Sequence, residues 1–169
     1  MKGNPLPDLD KCNIAIIGMG YVGLPLALQF SKKIKNTKKI IRKIIGFDIN
    51  EKRIIDLKKG IDKTNEISID EILSSCIEFS SSKEILSKAD IYIVTVPTPI
   101  DKNNIPDLSF LMNASELIGK SIKIRNENYK DSPSNPIVIF ESTVYPGATE
   151  EFCVPIIEKH SMSIYNSEI

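Results

Sequence analysis

The stretch "IAIIGMGYVGLPLAL", residues 14 to 28, decides the fold. An apolar β-branched run leads into glycines at positions 18, 20 and 23, and a second apolar run follows them. The first run, "CNIAIIG", reads as a buried strand. The second, "YVGLPLALQFSKK", places Val22, Leu26 and Phe30 along one face of a helix, with Pro25 in the first turn, where a missing N–H costs little. Gly18, Gly20 and Gly23 fit G-x-G-x-x-G at the join of strand and helix. In that setting Gly18 permits the tight turn, Gly20 lets a pyrophosphate approach the backbone, and Gly23 lets helix and strand pack closely. The N–H groups opening the helix then face the phosphates. The plainer reading is a glycine-rich turn made only for packing.

Beyond this stretch, strand and helix signals alternate. "KIIRKIIGFDIN" holds a second strand, about Ile44 to Asp48, and "EKRIIDLKKG" a helix stopped by Gly60. "SIDEILSS" reads as a short helix, "IEFSS" as a short strand and "SKEILSKA" as a helix. "DIYIVTVPTP" is a strand ended by prolines, and "DLSFLMNASELIGKSI" an amphipathic helix with an N-cap candidate at Asp107. "RNENYKDSPSNP" reads as a polar loop, "IVIFEST" as a strand and "GATEEFCVPIIEK" as the last helix. Alternation of this kind predicts an α/β fold, a single domain with a Rossmann-like, doubly wound parallel sheet and right-handed crossovers. Residues 1–11 form a polar lead-in and residues 12–169 the domain.

Asp48 ends the second strand, where a carboxylate can accept hydrogen bonds from adenosine ribose hydroxyls. It follows Gly23 by 25 residues, against a usual spacing of about 20. The extra length falls in "SKKIKNTKKIIRK", which has seven basic residues and no acidic one and reads as an extended helix end and solvated loop. A carboxylate at this position repels a 2′-phosphate and favours NAD over NADP, although Arg53 nearby is a residue type that can accommodate that phosphate. "VTVPTPI" and "ESTVYPG" close two further strands, so Thr98, Ser142 and Thr143 reach the same cleft beyond the strands' carboxyl ends. Turn residues that satisfy their own backbone are the plainer account of each.

The totals are ordinary for a soluble globular protein. The 169 residues are 41% hydrophobic and 26% charged, with 22 basic and 22 acidic side chains and formal net charge zero. That balance argues against nucleic acid or an anionic membrane as partner. No apolar run approaches the roughly 20 residues of a membrane span, and "MKGNPLPDLDKC" has no apolar signal core, so the expected compartment is the cytoplasm. Cys12, Cys76 and Cys153 lack metal or disulfide spacing and read as reduced, mostly buried thiols. His160, the sole histidine, reads as a surface residue, and no metal is expected.

Together, "IAIIGMGYVGLPLAL", "IIGFDINEKRI", "ADIYIVTVPTPID", "PDLS" and "ESTVYPGATEEFCVP" resemble the UDP-glucose/GDP-mannose dehydrogenase family, in the family's order, over about residues 12 to 160. "VPTPID" with "ESTVYPGATEE" is most similar to the branch acting on UDP-N-acetylhexosamines, which makes uronic acids for bacterial surface polysaccharides. The resemblance implies a two-step, NAD-dependent oxidation of a UDP-sugar at C6, with two NAD consumed and a cysteine holding the aldehyde-level carbon. By motif, Gly18, Met19, Gly20, Tyr21, Val22 and Gly23 match the pyrophosphate loop, and Asp48 and Arg53 match adenosine-ribose contacts. Val96, Pro97 and Thr98, with Ser142, Thr143 and Val144, match segments lining the cofactor; Thr143 also matches a threonine that positions the catalytic water.

The family's glycine-rich motif around its catalytic cysteine has no counterpart here, nor do the lysine and asparagine of its middle helix or the glutamate after the last helix. The resemblance therefore implies the N-terminal NAD-binding domain of such an enzyme, a fragment competent at most to bind NAD, whose full-length relatives dimerise through a central helix. A stand-alone dinucleotide-binding module and a hydroxyacid-type Rossmann dehydrogenase are the other readings; "ESTVYPGATEE" counts against the latter.

Overall fold

The computed structural model describes residues 6–32, 42–100, 102, 106–129 and 134–165. The basic stretch read as a helix end and loop falls largely at 33–41, outside the described residues. Five strands form one sheet: β1 (Asn13–Ile17), β2 (Lys43–Phe47), β3 (Ile77–Ser80), β4 (Ile91–Val94) and β5 (Ile137–Phe140). Their order is β3-β2-β1-β4-β5 and every pairing is parallel. The chain winds outward from β1 through β2 to β3, then crosses back to β4 and β5. The order reverses between β1 and β4, which is where sheets of this topology open a ligand crevice.

Period-two alternation divides β1 between two cores. Ile14 and Ile16 pack with Leu24, Ala27 and Leu28 of α1 (Gly23–Ser31), Ile54 and Leu57 of α2 (Glu51–Lys58) and Ile72 of α3 (Ile69–Ser74). Ala15 and Ile17 face the other way, onto Leu111, Ala114, Ile118 and Ile122 of α4 (Ser109–Asn128) and Ile157 of α5 (Val154–Ser161). Burial on both faces explains why β1 and β4 read as continuous apolar runs. The architecture is the doubly wound, single-domain Rossmann-like sheet expected from the alternation.

Four elements depart from the sequence reading. "SKEILSKA" is a 3-10 helix at Lys83–Lys88. The Leu86 carbonyl turns to Ala89 N and accepts the buried Tyr92 hydroxyl at 2.9 Å, so the i→i+3 geometry is fixed from inside the core. The polar "RNEN" is the last turn of α4 rather than loop, because Arg125 is buried and its Nη2 meets Asp90 Oδ1 at 2.7 Å. Asp107 sits one residue outside the cap position of α4, where its Oδ1 accepts from Ser109 N at 2.9 Å. The last helix begins with a π-helical turn, Thr149–Cys153, ahead of Pro155, whose ring cannot supply the next intrahelical N–H. Among the thiols, Cys12 and Cys153 are buried and Cys76 is exposed, contrary to the expectation for the last. His160 is half-buried, its Cβ over Gly119.

Candidate cofactor-binding site

Register places the carboxyl ends of the strands in one row. Ile17 pairs with Phe47 and Val94, and Val94 with Phe140. The next residues continue the ladder: Gly18 N donates to Phe47 O at 2.9 Å, Thr95 N to Ile17 O at 2.9 Å and Glu141 N to Val94 O at 2.9 Å. Gly18, Asp48, Thr95 and Glu141 thus stand along one edge, and the loops that follow them make the crevice.

Each motif glycine has its own geometric reason. Gly18 has φ +102°, a region that side-chain-bearing residues rarely adopt, and a Cβ there would lie 3.1 Å from Thr95 O. A Cβ on Gly23 would lie 1.8 Å from Gly18 O and 2.5 Å from Thr95 Oγ1, so α1 can start against β1 only with glycine. A Cβ on Gly20 would meet nothing within 4 Å. The face above Gly20 is open, and α1 begins there with no side-chain cap and no acidic residue in its first turn. Uncapped N–H groups and the positive end of the helix dipole beside an open backbone suit a diphosphate. Met19 points its side chain into the core, fully buried, so only its backbone faces the site. Tyr21 and Val22 are exposed at the lip.

The Met19 backbone is held at both its N–H and its carbonyl. Its N–H donates to Asp48 Oδ2 at 2.9 Å, and its carbonyl accepts from Arg53 Nε at 2.8 Å. Asp48 Oδ1 also accepts from Asn50 N at 2.9 Å. A carboxylate has about four acceptor sites, so two remain for the hydroxyls of a ribose. Asp48 therefore fits a dinucleotide while it also orients the loop. Arg53 lies in the first turn of α2, where its N–H donates to the side chain of the cap residue Asn50 at 3.2 Å. Its Nη2 forms an ion pair with Asp62 Oδ1 at 2.7 Å, and neither terminal nitrogen completes a hydrogen bond of good geometry.

On the other side of the crevice, two loops are tied together. Ser142 Oγ donates to Val96 O at 2.6 Å and Thr98 Oγ1 to Thr143 O at 2.7 Å. These side chains bridge two loops and do not close their own turns. Val96 and Val144 are partly buried against the α4 core, while Pro97 and the Thr143 side chain are exposed.

Two residues of the site carry no signal of their role in the sequence. Thr95 is buried, and its Oγ1 contacts Ile17 O at 3.1 Å and Gly18 O at 2.8 Å, which fastens the glycine turn to β4. Asp62 holds the guanidinium of Arg53. The "DKT" after Gly60 is suited to a side-chain-stabilised turn, but nothing sequential connects it to the glycine loop.

A parallel doubly wound sheet with an open glycine turn, an uncapped helix start and an acidic residue after β2 defines a dinucleotide-binding domain of the Rossmann class. The chain belongs to the UDP-glucose/GDP-mannose dehydrogenase family, whose NAD binding domain matches residues 12–169. It is 50% identical over 149 residues to Protein CapL of Staphylococcus aureus, covering 88% of this chain and 31% of CapL. It is 47% identical over 161 residues to a UDP-N-acetyl-D-glucosamine 6-dehydrogenase of Pseudomonas aeruginosa, covering 95% of this chain and 34% of that protein. The solved structure of a UDP-D-ManNAc dehydrogenase from Pyrococcus horikoshii superposes with a TM-score of 0.72 at 27% identity, over 92% of this chain and 34% of that one. The chain spans about a third of the length of these relatives. Among the described residues no helix is long and apolar enough to cross a membrane. Among them, too, no three potential metal ligands cluster.

Proposed function

We propose that residues 12–169 form the cofactor-binding domain of a nucleotide-sugar 6-dehydrogenase that converts a UDP-N-acetylhexosamine to its uronic acid, with two NAD consumed, for surface polysaccharide synthesis. The observation that carries this reading is the uncapped start of α1 beneath the open face of Gly20, with Asp48 one strand away. When bound, NAD supplies a hydride acceptor at its nicotinamide. The chain's own residues bind and orient it. The backbone of Gly18 to Gly23 takes the diphosphate, Asp48 takes the adenosine ribose, and Arg53 steadies the Met19 carbonyl beneath them. Val96 to Thr98 and Ser142 to Val144, joined by their two cross-loop hydrogen bonds, form the wall on the nicotinamide side. The exposed Thr143 hydroxyl positions water there. The UDP-sugar, homodimer formation and a cytoplasmic location belong to the full-length enzyme in this reading, and neither nucleic acid nor membrane is a partner.

Calorimetric titration of the polypeptide with NAD tests the reading. Saturable one-to-one binding is expected, weak because one half of a dinucleotide cleft buries less ligand surface than a whole one. Heat unchanged by NAD at millimolar concentration would overturn it.

A further inference from the structure

Resting on the NAD reading above, we propose that Asp62 is a specificity-determining residue: it withholds Arg53 from a 2′-phosphate and so keeps the site selective for NAD over NADP. Arginine beside the acidic residue after β2 is the side chain that can accept that phosphate. Here it stands five residues after Asp48, yet its side chain is only 10% exposed. Its three nitrogens face inward. Nε is spent on Met19 O, Nη2 lies on Asp62, and Nη1 is buried with no acceptor. The orphaned Nη1 shows that the guanidinium is held by its ion pair rather than by a full set of hydrogen bonds.

Asp62 is built to hold it. The side chain is 1% exposed. Oδ1 accepts from Thr64 N at 3.0 Å and Thr64 Oγ1 at 2.7 Å, and Oδ2 from Glu66 N at 3.0 Å and Ile67 N at 3.1 Å. The loop after α2 thus wraps four donors around one carboxylate, filling its acceptor sites, and sets its charge against Arg53 as an ion pair. Burial opposes ionisation, but the Thr64 and Arg53 contacts outweigh it and hold the carboxyl down to about 2. The anion is permanent at neutral pH. The Arg53–Asp62 pair is therefore electrically neutral, and Asp48 is left as the uncompensated charge beside the loop.

Removing the Asp62 charge leaves a buried cation without its counter-ion. The guanidinium then turns to Asp48 or to the incoming phosphate, and either move makes the ribose edge one unit less negative. One unit charge acting on a doubly charged phosphate across a screened site corresponds to a factor of about five to ten in affinity. That selectivity change is separate from any loosening of the loop, which would weaken both cofactors alike.

The test is calorimetric titration of NAD and NADP against the parent, Asp62→Asn and the charge-neutral double variant Arg53→Met/Asp62→Leu, each first checked for a cooperative thermal melt. The parent is expected to prefer NAD. Asp62→Asn is expected to shift the NADP-to-NAD affinity ratio toward NADP about five- to tenfold. The double variant, which removes both charges together with the Arg53 contact to Met19 O, is expected to bind both nucleotides more weakly but to keep the parent's ratio within about twofold. A folded Asp62→Asn protein with the parent's ratio would overturn the proposal. So would a double variant that loses NADP affinity more than about threefold relative to NAD, because Arg53 would then already serve the phosphate in the parent. Should Asp62→Asn fail to melt cooperatively, the double variant decides alone on the same criterion. A parent that binds neither nucleotide sinks the cofactor reading itself, a different outcome from a parent that binds NAD with an unmoved ratio.

Discussion

At the scale of single residues, the three motif glycines separate into two kinds, and substitution tells them apart. Gly20 is open above its Cα, and its backbone lies outside the left-handed region. Gly20→Val should therefore leave the thermal melt within a few degrees of the parent and abolish NAD binding, since the valine occupies the diphosphate's approach. Binding equal to the parent would mean that the loop cradles no phosphate. Gly23→Ala should do the opposite. Its methyl would meet Gly18 O at 1.8 Å, an overlap that no rotamer relieves because the obstacle is backbone. A loss of cooperative folding is the expected melt. Thr95→Val keeps the shape but removes the two contacts that fasten Gly18, at a cost of about 1–2 kcal/mol in a urea titration. The glycines were legible because they are forced by local geometry within a short stretch of chain. Thr95 was not, since its partners Ile17 and Gly18 lie more than seventy residues away and only strand pairing joins them.

At the scale of elements, α4 and α5 meet through Gly119. A methyl there would stand 2.7 Å from His160 Cβ and 2.9 Å from the Ile157 carbonyl. Gly119→Ala gains about 1 kcal/mol from helix propensity and reduced unfolded-state entropy. Overpacking against a fixed carbonyl costs about 1–3 kcal/mol, so a net fall in melting temperature is expected. A rise would show that the two helices can separate freely. The loop after α2 carries its own pH dependence. The carboxyl of Asp62 is lowered from 3.8 to about 2. A depressed folded value gives stability that is complete above the unfolded value and lost as pH falls through the folded one. The shift corresponds to about 2 kcal/mol. Relative to Arg53→Met/Asp62→Leu, the parent's advantage in urea melts should therefore shrink between about pH 4 and pH 2. An advantage constant across that window would remove Asp62 from the acid response. The existence and order of the elements followed from periodicity, because each strand and helix buries a face. Their ends did not. The "RNEN" turn of α4 is helical only because Arg125 finds Asp90 beyond the helix, a partner that polarity alone cannot reveal.

At the scale of the whole molecule, topology sets two of the thiols apart from the crevice and burial encloses the third. The proposed oxidation needs the sugar's C6 beside the nicotinamide and, for its second step, a thiolate at that carbon. The crevice lies along the carboxyl edge, beyond Ile17, Phe47, Val94 and Phe140. Cys12 immediately precedes β1 and Cys76 immediately precedes β3, so both lie at the opposite edge. Cys153 is 2% exposed in the core beneath α4, and burial raises its thiol pKa, as it does for Cys12. A raised pKa leaves less of the nucleophilic thiolate at neutral pH. The 169-residue polypeptide is accordingly expected to form no second equivalent of NADH per UDP-N-acetylglucosamine, UDP-N-acetylgalactosamine or UDP-glucose under conditions in which it binds NAD. Absorbance of NADH is the readout, with Cys12→Ser, Cys76→Ser and Cys153→Ser run beside the parent. Turnover that vanishes in Cys153→Ser alone would place the nucleophile inside the α4 core and would require α5 to open toward the crevice during the reaction.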